Sequence, residues 1–210
     1  MADISLRRYT NLVATINLLR RRAITLLNPG TWDDRNDSHF LEQYKDRLAA
    51  KTVLALCFAE AYETYHHWKV FAPGSDGVCI EFDKSRLLSN LPVDSRLKRG
   101  EVRYRRIDEI RRTSPHVEEL PFIKRFPYGD EKEFRLVYVN QDEKLPFKDF
   151  EISLESIRRI NLSPWMSPAM ADAIKETIRV IDGCQGLRLN RSTLVENKEW
   201  QRLAERVRLD

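Results

Sequence analysis

Residues 130–139 read DEKEFRLVYV, and this stretch decides how the fold is interpreted. Its second half is apolar and rich in strand-forming residues, which predicts a strand over 134–139. Alternate residues of a strand share a face. One face is therefore apolar, whereas the other is ionic and carries Glu131, Glu133 and Arg135. We expect the apolar face to pack into a core and the two carboxylates and the guanidinium to lie on the opposite side.

Shorter segments of both kinds surround this strand. Residues 52–59 (TVLALCFA) and 78–82 (VCIEF) predict two further strands, and apolar residues in helical phase predict a helix over 168–181. Short strands that alternate irregularly with helices favour an α+β fold over a doubly wound parallel sheet. We expect a single domain over residues 1–210, with 1–150 as its cleft-forming core. Residues 151–210 would add a strand-helix-strand-helix region that packs on this core.

The composition is that of a globular protein. Of the 210 residues, 42% are hydrophobic and 32% are charged, which excludes intrinsic disorder and a fibrous structure. The apolar runs are too short to span a membrane, and residues 1–7 lack the basic-then-apolar order of a secretory signal. The cysteines Cys57, Cys79 and Cys184 are widely spaced. We therefore expect reduced thiols in a cytoplasmic protein, with no metal site and no membrane partner.

Positive charge is concentrated in one segment of the chain. The net charge is only +4, from 36 basic and 32 acidic residues. Residues 96–112, however, contain Arg96, Lys98, Arg99, Arg103, Arg105, Arg106, Arg111 and Arg112. Such a run can follow the phosphates of a nucleic acid, with Arg103, Arg105 and Arg106 as the contacts. It can equally be a solvated face balanced by nearby acidic residues, and the pattern does not decide between the two.

The ionic face of residues 131–135 also has two interpretations. Two carboxylates beside a guanidinium are costly to bury, but a fixed carboxylate can stabilise a sugar oxocarbenium ion and orient a ribose hydroxyl. On a solvated strand edge, the same residues would form an arginine–glutamate pair worth roughly 0–1 kcal/mol. The pattern alone favours the solvated edge.

An aromatic segment lies in the middle of the chain. It contains Tyr62, Tyr65, His66, His67 and Trp68. On a helix, the aromatic rings would form either a wall for a flat ligand ring or a ridge that packs into the core. Adjacent histidines point in different directions on a helix, so we do not expect them to share a metal ion.

Two polar boxes lie near the N-terminus. The box LRRY at 6–9 contains arginines that can hold a pyrophosphate, and the acidic box DDRND at 33–37 can hold Mg²⁺. The more common alternatives are a surface strand for the first box and a polar loop for the second.

The order of these boxes resembles a known family. The boxes are LRRY (6–9), WDDRND (32–37), LCF (56–58), HW (67–68), GVCIEF (77–82), VRY (102–104), Lys124, EKEFR (131–135) and RSTL (191–194). In this order they resemble the bacterial domain-of-unknown-function family twenty-nine seventy-one. Members of that family carry a Tyr-Lys-Tyr-like box, an Asn-Asp-Pro-Phe box and a Trp-x-x-Glu-x-Glu-x-Arg strand. This chain departs from the pattern at Ser38, where proline is usual, and at Tyr128, where tryptophan is usual.

The layout is also similar to that of ADP-ribosyltransferases, which carry an early Arg or His, a central aromatic segment and a late Glu-x-Glu that opens a strand. This resemblance implies a split sheet of short mixed or antiparallel strands with flanking helices, and NAD as a substrate. It implies that Glu133 is the catalytic carboxylate and Glu131 its accessory. The NAD-binding residues that it implies are Arg8, Tyr9, Tyr65, Trp68 and Arg135.

Each implied NAD contact has a distinct role. Arg8, with Tyr9 beside it, would contact the phosphates or a ribose, and Tyr65 or Trp68 would lie against the nicotinamide. Arg135 would hold Glu131 or a phosphate. The resemblance leaves the acceptor open, with a protein or a nucleic acid as the main candidates and a small molecule as a further one, and it suggests a bacterial conflict or defence setting.

Two functions from other classes remain open. A metal-dependent nuclease would use Asp130 and Lys132 near the strand, together with an acid from residues 33–37. A non-catalytic module would bind nucleic acid or protein without a reaction. A thermal-shift screen with NAD, Mg²⁺ and short oligonucleotides separates the three functions, because a bound ligand stabilises the folded protein.

Overall fold

A computed structural model describes residues 4–206, so the first three residues of the segment examined for a secretory signal lie outside it. The strands are β1 (Ser5–Asn11), β2 (Ala23–Leu27), β3 (Thr52–Ala59), β4 (Gly77–Asp83), β5 (Leu97–Glu101), β6 (Arg103–Arg105), β7 (Ile123–Arg125), β8 (Glu133–Asn140), β9 (Phe147–Glu151), β10 (Ile157–Leu162) and β11 (Leu189–Arg191). The helices are α1 (Leu12–Arg21), α2 (Arg35–Arg47), α3 (Tyr65–Phe71), α4 (Lys84–Asn90), α5 (Ile107–Arg112), α6 (Pro168–Arg179) and α7 (Lys198–Ala204).

Within residues 4–206, nine strands form one mixed sheet that branches at β3. The strand β8 pairs with β3 along its whole length and with β5 on its other edge. On the remaining edge of β3, β1 meets it only at Arg7 opposite Ala59, and β2 meets it only at Leu27 opposite Ala55. Between these two contacts the sheet is split. The predicted α+β class and split sheet with flanking helices are therefore confirmed.

The two halves of the sheet continue outward from the split. One half follows the order β1, β4, β10 and β11, and the other pairs β2 with β9. The strands β10 and β11 are parallel to each other and belong to the same sheet as β1. The strands β6 and β7 form a separate two-stranded parallel sheet.

The alternation predicted for β8 matches the packing of its two faces. Phe134, Leu136 and Tyr138 lie in the main hydrophobic core, together with apolar residues of β3 and β4. On the opposite face, Val137 packs in a smaller cluster with Leu41 and Tyr44 of α2. A third cluster, built around Trp68 of α3, covers the same face at β1. The ionic residues of β8 lie between these two smaller clusters.

No helix formed by residues 4–206 combines the length and the apolar character that crossing a bilayer would require.

Candidate active site

The split in the sheet opens into a cavity of about 960 Å³. Its walls come from β1, from the middle of β3, from the start of α2 and from the segment that precedes β8. Glu131 and Glu133 line it on one side, and Arg8 and Tyr9 of β1 line it on another. Residues of the boxes at 6–9, 32–37, 56–58 and 131–135, together with Lys124, thus meet at one cavity although they lie far apart along the chain.

Arg135 lies directly behind this cavity and is fully buried. Its Nε donates to Glu133 Oε1 at 2.6 Å and its Nη2 to Glu133 Oε2 at 2.9 Å. It also donates to both carboxylate oxygens of Asp37, at 2.8 and 2.5 Å, and to the carbonyl oxygen of Pro121 at 3.0 Å. All five N–H groups of the guanidinium therefore have a partner, which is what a buried charge requires. The guanidinium thus holds the carboxylates of Glu133 and Asp37 in fixed positions.

The local structure of α2 explains why Asp37 reaches the guanidinium of Arg135. The side chain of Asp34 caps α2 by accepting hydrogen bonds from the backbone N–H groups of Asn36 and Asp37. Asp37 therefore lies in the first turn of α2, and it is buried. The ring of Trp32, which also lines the cavity, lies 5.3 Å from the guanidinium carbon of Arg135.

Lys124 of β7 is the second buried cation of the site. Its Nζ lies 2.6 Å from Glu131, 3.4 Å from Glu133 and 3.7 Å from Asp37. Lys124 and Arg135 thus face three carboxylates, and the cluster carries one excess negative charge when every group is ionised. This charge lies where Glu131 and Glu133 border the cavity.

The electrostatics of the cluster keep Glu133 ionised. Burial raises the pKa of Glu133, but Arg135 and Lys124 outweigh it and lower the pKa to about 2. Burial lowers the pKa of Lys124, yet the surrounding carboxylates outweigh it and raise the pKa above the usual value for lysine. Burial raises the pKa of the Glu131 carboxyl and of the neighbouring Cys57 thiol. At neutral pH the site therefore presents an ionised Glu133 beside a protonated Lys124 and an uncharged thiol.

This shift makes one contribution to stability depend on pH. The folded-state pKa of Glu133, about 2, lies below its unfolded value, so its ionised form stabilises the protein above roughly pH 4.5 and this stability is lost as the pH falls toward 2. The shift corresponds to about 3 kcal/mol. We expect the difference in unfolding free energy between the parent protein and Glu133→Gln to shrink by about 2 kcal/mol between pH 7 and pH 3 in urea titrations, because the remainder is lost only below pH 3. A constant difference over this range would show that the carboxylate is not stabilised as described.

Arg8 occupies the split itself. Its Nη1 donates to the carbonyl oxygen of Cys57 at 3.2 Å, on the edge of β3 that neither β1 nor β2 covers. Burial lowers the pKa of Arg8. In the part of the chain described by the structure, no carboxylate forms an ion pair with this guanidinium. Arg8 thus presents hydrogen-bond donors to the cavity while Arg135 and Lys124 are occupied by carboxylates.

The structure corrects three of the expected NAD contacts. Trp68 is fully buried and donates from Nε1 to Glu63 at 2.7 Å, so its ring belongs to the core. Tyr65 packs on Trp165 and does not line the cavity. Arg135 is shielded from the cavity and holds Glu133 and Asp37 rather than Glu131 or a phosphate. The aromatic rings that do line the cavity are those of Tyr9, Trp32, Phe71 and Tyr128.

The ionic face of β8 is also not the solvated edge that the pattern alone favours. Glu133 and Arg135 are buried, and Arg135 is bonded to Asp37 of α2 and to Pro121 of the short 3-10 helix Val117–Phe122, which cover this face. Asp37, one of the acids considered for a nuclease, is engaged by both cations of the cluster. The nuclease alternative therefore loses this residue as a metal ligand.

The three arginines expected to contact nucleic acid lie outside the cavity. Arg103 and Arg105 belong to β6, and Arg106 precedes α5. Arg103 pairs with Glu119 at 2.9 Å, and the guanidinium of Arg106 lies 4.6 Å from the centre of the Phe126 ring. Tyr104, between these arginines, accepts a hydrogen bond from the backbone N–H of Glu133 at 2.8 Å. The basic segment is therefore in direct contact with the strand that carries the candidate catalytic residue.

Neither a family model nor a curated protein matches this chain, so the resemblance to family twenty-nine seventy-one is not confirmed. Among solved structures it is similar to Thermus sp. 2.9 DarT in complex with carba-NAD⁺ (TM-score 0.47, 10% identity, 91% of this chain and 97% of that chain covered). It is also similar to the same protein with NAD⁺ (0.47, 10%, 91% and 96%) and with ADP-ribosylated ssDNA (0.49, 11%, 91% and 95%). With TM-scores below 0.5, this likeness does not decide the chemistry of this chain.

Proposed function

We propose that this protein is an ADP-ribosyltransferase that cleaves NAD and transfers ADP-ribose to a nucleic acid. The observation that carries the proposal is the cavity at the split of the sheet, where an ionised and rigidly held Glu133 faces the same space as Arg8. The proposal rests on these residues and not on the DarT complexes. Those complexes contain carba-NAD⁺, NAD⁺ or ADP-ribosylated ssDNA, which are likewise dinucleotides or a nucleic acid.

The chemistry follows from the charge of the substrate. The nicotinamide of NAD is cationic, and it leaves as a neutral ring that takes the electrons of the bond to the ribose. Positive charge then develops on the ribose, and a nearby fixed carboxylate stabilises it. We propose that Glu133 is this carboxylate and that it also accepts a hydrogen bond from the ribose 2′-hydroxyl. Because Arg135 already holds the carboxylate on the side away from the cavity, little reorganisation is needed during the reaction.

The remaining cavity residues suit the rest of the dinucleotide. A volume of about 960 Å³ is at the upper end of the range for ligand pockets, roughly 300–1,000 Å³. Arg8 offers donors that match the two negative charges of the diphosphate. The rings of Trp32, Phe71 and Tyr128 supply flat apolar surfaces for the nicotinamide and the adenine.

A nucleic acid is the acceptor that the surface beside the cavity favours. Phe126 is half-exposed and carries the guanidinium of Arg106 on its ring. It begins the short segment Phe126–Glu131, which also supplies Tyr128 and Glu131 to the cavity. Arg105 and Arg125 are exposed next to it on β6 and β7. An aromatic ring among arginines is the combination that stacks bases and contacts phosphates of single-stranded nucleic acid.

Nicotinamide release from NAD, measured with a short single-stranded oligonucleotide present, tests this function. We expect the parent protein to release nicotinamide and to attach ADP-ribose to the oligonucleotide. Arg8→Ala is expected to raise the KM for NAD by roughly 10- to 100-fold, the loss expected for hydrogen bonds between charged groups. Arg20→Ala, which removes an exposed arginine on α1, is the matched control and should leave KM unchanged.

The outcomes separate the proposal from its rivals. A protein that releases no nicotinamide, but cleaves the oligonucleotide when Mg²⁺ is added, would be a nuclease. Binding of the oligonucleotide with neither reaction would indicate a non-catalytic module.

A further inference from the structure

The peptide group of Glu133 is held by the basic segment and not only by neighbouring strands. Its carbonyl oxygen accepts a hydrogen bond from the backbone N–H of Val102 at 2.8 Å. Its N–H donates to the hydroxyl of Tyr104, also at 2.8 Å. Val102 joins β5 to β6, where the chain leaves the large sheet, and Tyr104 is the middle residue of β6. The start of β8 is therefore positioned by residues 102–104.

The two-stranded sheet β6–β7 has two chemically different faces. Tyr104 and Lys124 are direct neighbours across its two strands, and both contact Glu133. Of their neighbours along the strands, Arg103, Arg105 and Arg125 are exposed and Ile123 is buried. Alternate residues of a strand lie on opposite faces. The sheet therefore presents its arginines outward and its Tyr104 and Lys124 inward, toward the candidate catalytic residue.

We infer that this small sheet couples acceptor binding to catalysis, with Tyr104 as the residue that positions Glu133. This inference rests on the proposed function and adds the regulation of the same site. A nucleic acid bound to the outward arginines restrains β6, and the restraint reaches Glu133 through the hydrogen bond from its N–H to Tyr104. Tyr104 does not line the cavity, so it is a positioning residue and not one that touches NAD.

Tyr104→Phe removes the hydroxyl that accepts this bond and leaves the ring in place. We expect the kcat for transfer to a single-stranded oligonucleotide to fall about tenfold, the order expected for one hydrogen bond. The KM for NAD and the Kd for the oligonucleotide are expected to stay within about twofold of the parent values, because neither Arg8 nor the outward arginines change. Tyr44→Phe is the matched control, since Tyr44 is buried on α2 and its hydroxyl donates to Glu118. It should lower stability without lowering kcat.

A second measurement reads the coupling without a reaction. In ¹⁵N-labelled protein, the amide proton of Glu133 reports its hydrogen bond to Tyr104 directly. We expect its NMR signal to shift when the oligonucleotide is added to the parent protein, and this shift to be absent in Tyr104→Phe. The signal of a distant amide such as that of Leu189 on β11 should not respond in either protein.

The outcomes distinguish this inference from the function on which it rests. If the parent protein releases nicotinamide but Tyr104→Phe keeps the full kcat, or the Glu133 signal shifts equally in both proteins, the coupling is wrong and the function stands. If the parent protein neither releases nicotinamide nor shows a shift of the Glu133 signal, both are overturned. A kcat loss accompanied by equal losses in NAD and oligonucleotide affinity would show a merely structural role for Tyr104 and would also overturn the coupling.

Discussion

Glu133→Gln is expected to lower the rate of nicotinamide release by roughly 10²- to 10⁴-fold, which is the range for removing a group that acts on the transition state. The amide keeps the size of the carboxylate but carries no charge to stabilise the developing cation on the ribose. The KM for NAD should change much less than kcat, because Arg8 and the aromatic walls are untouched. Steady-state kinetics of nicotinamide release at saturating NAD checks this expectation.

The control for this variant is Glu42→Gln, which neutralises an exposed carboxylate on α2 outside the cavity. Glu133→Gln also weakens the pairing of Arg135, so melting temperatures of both variants should be measured and the assays run well below them. Release of nicotinamide by folded Glu133→Gln at the rate of Glu42→Gln would remove Glu133 from the mechanism.

Arg135→Met is expected to destabilise the protein by about 3–5 kcal/mol, the cost of breaking a buried ion pair from one side. The guanidinium donates four hydrogen bonds to two carboxylates that are themselves buried. Without it, the ion-pair partner that remains to Asp37 and Glu133 among residues 4–206 is Lys124, at 3.7 and 3.4 Å. Urea unfolding followed by circular dichroism measures the loss. Among single substitutions of arginines in and around the cluster, we expect Arg135→Met to cause the largest loss of unfolding free energy.

Two comparisons isolate the cause of this loss. Arg20→Met, at an exposed site on α1, should change stability by less than about 0.5 kcal/mol. Adding Asp37→Asn and Glu133→Gln to Arg135→Met should recover part of the loss, because these changes remove the charges left unpaired. A loss below about 1 kcal/mol for Arg135→Met alone would mean that the pairs are not formed as described.

The strand at the centre of the site was predictable, but its burial was not. The alternation in residues 130–139 correctly separates the core face of β8 from its ionic face. The ionic face is covered through contacts of Arg135 with Asp37 and Pro121, which lie 98 and 14 residues from Arg135 along the chain. A local pattern contains no information on such contacts. Two acids and an arginine on one strand face do, however, indicate a position where a residue from a distant part of the chain pairs with them.

The aromatic segment shows a second limit of sequence patterns. Helical spacing places Tyr65 and Trp68 on a common side of α3, but it does not say whether that side faces the core or a cavity. In the structure, Trp68 is in the core and Tyr65 is on the surface. The cavity instead uses Trp32 and Tyr128, isolated aromatic residues with no periodic signal, and Phe71 at the end of α3.

The sequence pattern indicates one continuous basic segment over residues 96–112, whereas the structure divides it at Val102. This residue is buried, whereas Glu101 and Arg103 on either side of it are exposed, and the chain changes sheets there. Several arginines of the basic segment have structural partners, such as Arg96 with Asp94 and Arg112 with Asp108.

The strand β9 (Phe147–Glu151) is not predicted by the sequence pattern, because its short and strongly charged sequence is stabilised by pairing with β2 rather than by its own composition.

The position of the dinucleotide in a crystal structure with carba-NAD⁺, which cannot release nicotinamide, tests the proposed active site most directly. We expect the nicotinamide ribose to contact the carboxylate of Glu133 and the diphosphate to contact the guanidinium of Arg8, both inside the split between β1 and β2. A dinucleotide bound elsewhere on the protein, or inside the split with its ribose turned away from Glu133, would contradict the assignment of this cavity as the site of ADP-ribosyl transfer.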